Sequence, residues 1–174
     1  MNQPIYFRKA YISLGANLPF AGYGPADTFK RALIALDCVD LQLVRVSSVW
    51  SSPAWPNASD PEFCNAVAIF MCNFTPLRLL NRLAVVEDQF GRKRLEKNSP
   101  RSLDLDLISY GELKSATKRV KLPHPRLHDR AFVLFPLQEV EASWKHPGSD
   151  QNVTDLIAKL PKSDVLATKI QDAL

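Results

Sequence analysis

Five residues, Leu103-Asp104-Leu105-Asp106-Leu107, constrain the fold of this chain more than any other segment. Strict alternation of leucine and aspartate has the period of a β-strand, on which successive side chains point to opposite faces. The leucines form a buried face, and Asp104 and Asp106 share the other. Two carboxylates this close, on a strand backed by core, repel one another and lose hydration unless a cation lies between them. Magnesium suits that position, because it takes oxygen ligands and commonly combines one or two carboxylates with substrate phosphates. An isolated Asp-x-Asp more often faces water than metal. The neighbours change the weighting: Arg101 precedes Asp104 by three residues, and Arg92, Lys93, Arg94 and Lys97 lie just upstream on a loop that follows a helical segment. Metal on one side and guanidinium groups on the other can hold a triphosphate and neutralise the charge that shifts during phosphoryl transfer.

The rest of the chain reads as one compact unit. Its 174 residues suffice for a single domain with a sizeable core, and 22 basic against 18 acidic residues leave a net charge of +4. Much of that excess lies between Arg92 and Arg101, a local patch that suits a phosphate-rich small molecule better than nucleic acid. Cys38, Cys64 and Cys72 have no metal-ligand or redox spacing and read as reduced packing residues of a cytoplasmic protein. Residues 1–8 lack a secretory pattern, and no apolar run approaches bilayer length, so no membrane partner is expected.

Strands are predicted over 10–14, 41–50, 62–72 and 102–110, the last turning at Gly111 into a second arm that ends near Leu122. Helices are predicted over 27–36, with Asp27 as a cap, and from Thr75-Pro76 to Gly91. Residues 126–137 could hold one or two helical turns, and the tail from Gln151 reads as an amphipathic helix. The order strand, helix, strand, strand, helix, strand implies an α+β fold with a mainly antiparallel, ferredoxin-like sheet and helices packed on it. No Gly-x-x-x-x-Gly-Lys-Ser/Thr loop is present, so ATP would bind without that phosphate cradle.

A second pair lies on the third strand. Phe63 and Asn65 share one face directly after a loop stiffened by Pro53, Pro56 and Pro61, and an aromatic plane beside an amide suits a flat heterocycle with donors and acceptors on its rim. Taken alone, the pair reads more readily as a core phenylalanine with a strand-end asparagine. Phe132 is a candidate opposing aromatic. His124, between two prolines, and Arg130 could donate to phosphate, although either alone carries little weight.

Together these segments resemble the 6-hydroxymethyl-7,8-dihydropterin pyrophosphokinase family of folate biosynthesis over nearly the whole length. Ser99-Pro-Arg-Ser-Leu-Asp-Leu-Asp-Leu-Ile108 is the strongest stretch. It is supported by Tyr11-Ile-Ser-Leu-Gly-Ala-Asn-Leu18, Val46-Ser-Ser-Val-Trp-Ser-Ser-Pro53, Phe63-Cys-Asn-Ala-Val67, Glu87 through Gly91-Arg-Lys-Arg94, and Leu122-Pro-His-Pro-Arg-Leu-His-Asp-Arg-Ala-Phe132. The resemblance implies one pyrophosphokinase domain over residues 1–174, a monomer, that moves diphosphate from ATP to the hydroxymethyl group of a reduced pterin and releases AMP. By position it implies Asp104 and Asp106 as ligands of two Mg2+ ions, with Arg92 and Arg94 beside them as catalytic residues. Glu87, Arg92, Arg101, His124 and Arg130 would form the ATP site. Ser52, Pro53, Trp55 and Asn65 would line the pterin, with Phe63 and Phe132 enclosing it. It also implies that residues 92–99 close over bound substrates.

The chain departs from the family pattern at Ala54, Trp55, Ala84, Lys97, Asn98 and Ser99. Lysine keeps the charge of arginine but not its planar fork, so phosphate clamping at Lys97 is expected to be weaker. Two other readings compete with the enzyme. One is a diverged paralogue that binds nucleotide or pterin with weak or no turnover; the other is an RNA-binding sheet, whose characteristic exposed aromatics are missing.

Overall fold

The computed structural model describes residues 6–55, 57, 59–92 and 99–174. In chain order they form β1 (Arg8–Ala16), α1 (Pro25–Leu36), β2 (Leu41–Val46), β3 (Val49–Ser52), β4 (Phe63–Cys72), α2 (Pro76–Gln89) and β5 (Asp104–Tyr110). A small arm of β6 (Ser115–Ala116) and β7 (Lys121–Leu122) follows, then α3 (Ala131–Val140), α4 (Val153–Ile157), α5 (Lys162–Ala167) and β8 (Lys169–Asp172). The main sheet runs β5-β1-β4-β3-β8, with β2 also paired to β4, and every pairing is antiparallel. This is the α+β, ferredoxin-like arrangement expected from the element order. No helix among the described residues is long and apolar enough to cross a membrane.

Local chemistry accounts for most boundaries. Pro25 opens α1 with its φ preset, and Gly24 is the cap, without a side-chain bond. Asp27, expected to cap, lies instead in the first turn and pairs with Lys30 at 3.9 Å. Thr75 caps α2, its hydroxyl accepting from the Arg78 amide at 3.3 Å. Beyond α2, Gly91 has a φ of +74°, and a Cβ there would lie 2.6 Å from the Phe20 ring, so conformation and space both require glycine.

Four further expectations are corrected. The strand predicted over 41–50 is two strands, broken at Ser47 and Ser48. The buried Ser47 hydroxyl accepts from the Val67 amide at 3.0 Å, and its own amide donates to the Val67 carbonyl at 3.0 Å, so a side chain takes over one ladder bond. The segment expected to hold one or two turns is the ten-residue α3, despite Pro136 within it. Proline removes a helical donor, but Val133, Leu134, Leu137 and Val140 are buried, and tertiary packing holds the helix. The expected terminal helix is instead α4, α5 and β8, interrupted at Pro161. Cys38 is exposed and so is not a packing residue, whereas Cys72 is buried; all three cysteines are free thiols.

The sheet carries apolar layers on both faces. Ile12 and Leu14 of β1, Ala66, Ala68 and Phe70 of β4, and Leu103, Leu105 and Leu107 pack with α1 and α2 through Phe29, Leu33, Leu79 and Leu83. On the opposite face Tyr11, Val67, Ile69 and Ile108 pack with α3 and α4 through Leu134, Leu137 and Leu156. Ile108 has no partner across β1, where Leu107 faces Ile12 and Ser109 faces Tyr11. That bulge resets the alternation, so that Tyr110 joins the first layer.

Candidate active site

Strand register brings residues distant in sequence onto one row across the sheet. Asp104 is opposite Gly15, Gly15 opposite Asn65, and Asn65 opposite Trp50. The next row joins Asp106, Ser13 and Val67. A Cβ at Gly15 would sit 3.8 Å from both the Asn65 Oδ1 and the Asp104 Cβ, so glycine leaves a low floor between the amide and the carboxylate. Leu103, Leu105 and Leu107 are buried behind this surface, as the alternation required.

Arginines surround the carboxylates. Asp104 accepts from Arg92 Nη1 at 2.6 Å and lies 3.3 Å from Arg101 Nη1, while Arg130 Nη1 is 3.9 Å from Asp106. Burial, and then the Asp104 charge, raise the Asp106 carboxyl above its ordinary value, against the pull of His124, Arg130 and Arg92. Burial lowers the His124 imidazole, opposed by Asp106, and lowers the Arg130 guanidinium. His124 reaches this position because its backbone amide donates to the Ile108 carbonyl at 2.8 Å, docking the segment after β7 on the outer edge of β5. Arg130 caps α3, whose N-terminal dipole adds positive potential beside the carboxylates.

Glu87 is only 2% exposed. Its Oε1 accepts from the Leu105 amide at 2.7 Å and from Arg92, so the carboxylate grips the outer edge of β5 at the residue between the two aspartates. Arg101 is held by its backbone: its amide donates to Asn17 Oδ1 at 2.8 Å, and its carbonyl accepts from the Asn17 and Leu18 amides at 3.0 and 3.1 Å. The Arg101 Nε is buried and without an acceptor among the described residues. An orphaned cationic donor of this kind suits a phosphate oxygen.

At the other end of the row, Asn65 is buried and its amide group is oriented by three acceptors. Nδ2 donates to the Ser52 hydroxyl at 2.9 Å and to the carbonyls of Trp50 and Phe63, each at 3.3 Å. Phe63 lies under the Arg101 guanidinium at 5.3 Å, and Phe132 under that of Arg130 at 5.5 Å. The two rings do not stack on one another. Ser52 is buried beside Asn65, whereas Pro53 is exposed and Trp55 is 70% exposed. Arg94, Lys97 and Asn98, and most of the segment expected to close, lie outside the described residues.

The donors present bear on the metal expected from the sequence. Among the described residues no three His, Cys, Asp or Glu side chains form a metal cluster. Two carboxylates on one strand face, with arginines and an unsatisfied guanidinium donor beside them, fit a hard cation that completes its coordination with phosphate and water oxygens. Gly15, Asn17 and Trp50 were not identified as site residues from sequence. Gly15-Ala16-Asn17-Leu18 entered only as part of a supporting family stretch, and the cross-strand register that makes these residues neighbours is not written in any local pattern.

Residues 11–142 match the family model described as 7,8-dihydro-6-hydroxymethylpterin-pyrophosphokinase (HPPK). The chain is 36% identical over 153 residues to a 2-amino-4-hydroxy-6-hydroxymethyldihydropteridine pyrophosphokinase from Synechocystis, covering 87% of this chain and 75% of that one. It is also 36% identical over 149 residues to the Haemophilus influenzae protein of the same name, covering 85% and 90%. Among solved structures, wild-type Plasmodium falciparum HPPK-DHPS superposes with a TM-score of 0.66 at 11% identity, covering 88% of this chain and 41% of that one. The chain thus spans less than half of that longer protein, and the likeness to it is one of fold.

Proposed function

Since the chain belongs to the 7,8-dihydro-6-hydroxymethylpterin-pyrophosphokinase family, we propose that its open row, from Asp104 through Gly15 to Asn65, is the site of diphosphate transfer. The reaction moves the terminal diphosphate of ATP to the hydroxymethyl group of 6-hydroxymethyl-7,8-dihydropterin and releases AMP, a step of folate biosynthesis. The substrate oxygen attacks the β-phosphorus, the bond from that phosphorus to the AMP oxygen breaks, and the hydroxyl proton passes to solvent or phosphate. The observation that carries the site reading is the register, which places a carboxylate cluster and a buried amide on one surface, with arginines above them.

In this reading Asp104 and Asp106 hold two Mg2+ ions, which when bound polarise phosphate oxygens and neutralise their charge. Arg92 and Arg101 move from Asp104 toward the triphosphate, and the orphaned Arg101 Nε gains an acceptor. Arg130 and His124 bind phosphate from the α3 side, and Arg94 joins them from the loop. Glu87 fixes Arg92 and β5 from beneath rather than facing nucleotide directly. Phe63 and Phe132 enclose the pterin, and Asn65, its Nδ2 committed to the protein, presents Oδ1 to donors on the heterocycle. Ser52 sets that amide orientation, while Pro53 and Trp55 shape the rim. Positioning and electrostatics supply the acceleration, and no strong base is needed. Residues 1–174 act as one domain, as a monomer, and the free thiols suit the cytoplasm.

The test is AMP release by purified protein. AMP should form only when ATP, Mg2+ and 6-hydroxymethyl-7,8-dihydropterin are all present. Folded protein that releases none would replace this reading with the non-catalytic paralogue.

A further inference from the structure

Outside the cluster just described, three donors converge on a single carboxylate of α3. Glu139 Oε1 accepts from the Ser48 amide at 2.9 Å and the Ser48 hydroxyl at 2.8 Å, and Oε2 accepts from Trp50 Nε1 at 2.8 Å. The Trp50 indole stacks on Phe135 with centroids 5.3 Å apart and planes 6° apart. One residue beyond Glu139, the Val140 carbonyl accepts from Arg45 Nη1 at 2.8 Å. An exposed glutamate with one flexible partner contributes little, but here two backbone-anchored residues fill both oxygens and a ring stack fixes the approach. The arrangement is a joint between α3 and the β2–β3 edge.

The joint connects to the site at both ends. Phe132, Phe135 and Glu139 are spaced to lie along one face of α3, so the helix presents the candidate heterocycle wall, the stacking ring and the carboxylate in one stripe. On the sheet, Trp50 is the cross-strand neighbour of Asn65, and its carbonyl accepts from Asn65 Nδ2. The separation of α3 from β3 and β4 therefore sets how far Phe132 stands from Phe63 and Asn65. The aspartates hang from β5, which is separated from β3 by β1 and β4.

We propose that Glu139, acting through Ser48 and Trp50, is a positioning residue that fixes the width of the pterin slot and governs affinity for the heterocycle far more than for the nucleotide, which meets α3 at its cap, Arg130. This rests on the pterin reading of the site. Glu139→Gln keeps the volume but turns an NH2 group toward Ser48 or Trp50, two donors that both need an oxygen. Trp50→Phe keeps the stack and removes only one donor.

The experiment measures, for wild type, Glu139→Gln and Trp50→Phe, equilibrium binding of 6-hydroxymethyl-7,8-dihydropterin and of Mg-ATP, AMP release and thermal melting. For Glu139→Gln the pterin Kd should rise about five- to tenfold, and less for Trp50→Phe, as expected for one or two charge-assisted bonds at a partly solvated site. ATP affinity should stay within about twofold of wild type, the split that separates positioning of one subsite from general loosening. A pterin Kd unchanged in Glu139→Gln overturns the proposal. So does parallel weakening of pterin and ATP with a lowered melting temperature, which is what a merely structural contact gives. Wild-type protein that neither binds pterin nor releases AMP overturns the pterin reading itself, and this inference with it.

Discussion

One face of the sheet is treated in two ways along the same strands. Beneath α3 and α4 it presents Tyr11, Val67, Ile69 and Ile108, all buried. Two residues further along each strand the same face presents Ser13, Asn65 and Asp106, and then Gly15, Phe63 and Asp104. The β1–β5 bulge at Ile108 and the break between β2 and β3 opposite Val67 fall at the boundary, where side-chain chemistry changes and the covering helix ends. The closed half lets the open half be polar, because four buried anchors on three strands hold the register that aligns the polar row. Sites built on strands in this way gain precision from packing elsewhere on the same element.

If the two halves divide the work, they should fail differently. Asp104→Asn or Asp106→Asn should lower AMP release by about a thousandfold or more, since each removes a charge that acts on the transferring phosphoryl group, while circular dichroism remains that of wild type. Turnover near wild type in either variant would remove the division at its centre. Leu134→Ala, at a fully buried position of the covering helix, should cost about 2–5 kcal/mol of unfolding free energy. In denaturant titrations this appears as a lowered midpoint, while kcat of the folded fraction is kept. A large kcat loss there would show that the halves are not separable.

The smallest effect concerns the cost of the open half to the fold. Burial and the Asp104 charge raise the Asp106 carboxyl, so its ionised form is disfavoured in the folded protein. A group raised in this way supports the fold below its unfolded value and opposes it as pH rises through the folded one. Without metal, Asp106→Asn should therefore melt above wild type at neutral pH, by a few degrees at most, because the Asp106 side chain keeps 40% of its surface in solvent. The gain should vanish at acidic pH and shrink when Mg2+ and nucleotide are added. Equal melting at all pH values would mean that the carboxylate pair imposes no strain.

The alternation at Leu103–Leu107 made the carboxylate face legible, and the leucines are buried as it required. Thr75-Pro76 and Gly91 likewise bounded α2, since their chemistry is local. What sequence did not disclose depends on contacts between distant segments. The Ser47 break needs the Val67 backbone opposite it, α3 needs a sheet to cover before Pro136 can be tolerated, and Gly15 matters only because register places it between Asp104 and Asn65. Trp55 entered only through the family resemblance, and its 70% exposure is a property that no local pattern announced.

Glu87 belongs to the helix layer, yet it holds the strand of the two aspartates by the amide between them. In evolutionary terms this extends the reach of selection. A substitution in the core beneath α2 that tilts the helix slightly can leave the fold intact and still carry Leu105, and with it both carboxylates, out of line with the row. On the proposed reading of the site, core residues such as Leu79 and Leu83 are thereby screened by the chemistry as well as by stability, and the freedom of that core to repack is narrower than its burial alone would set.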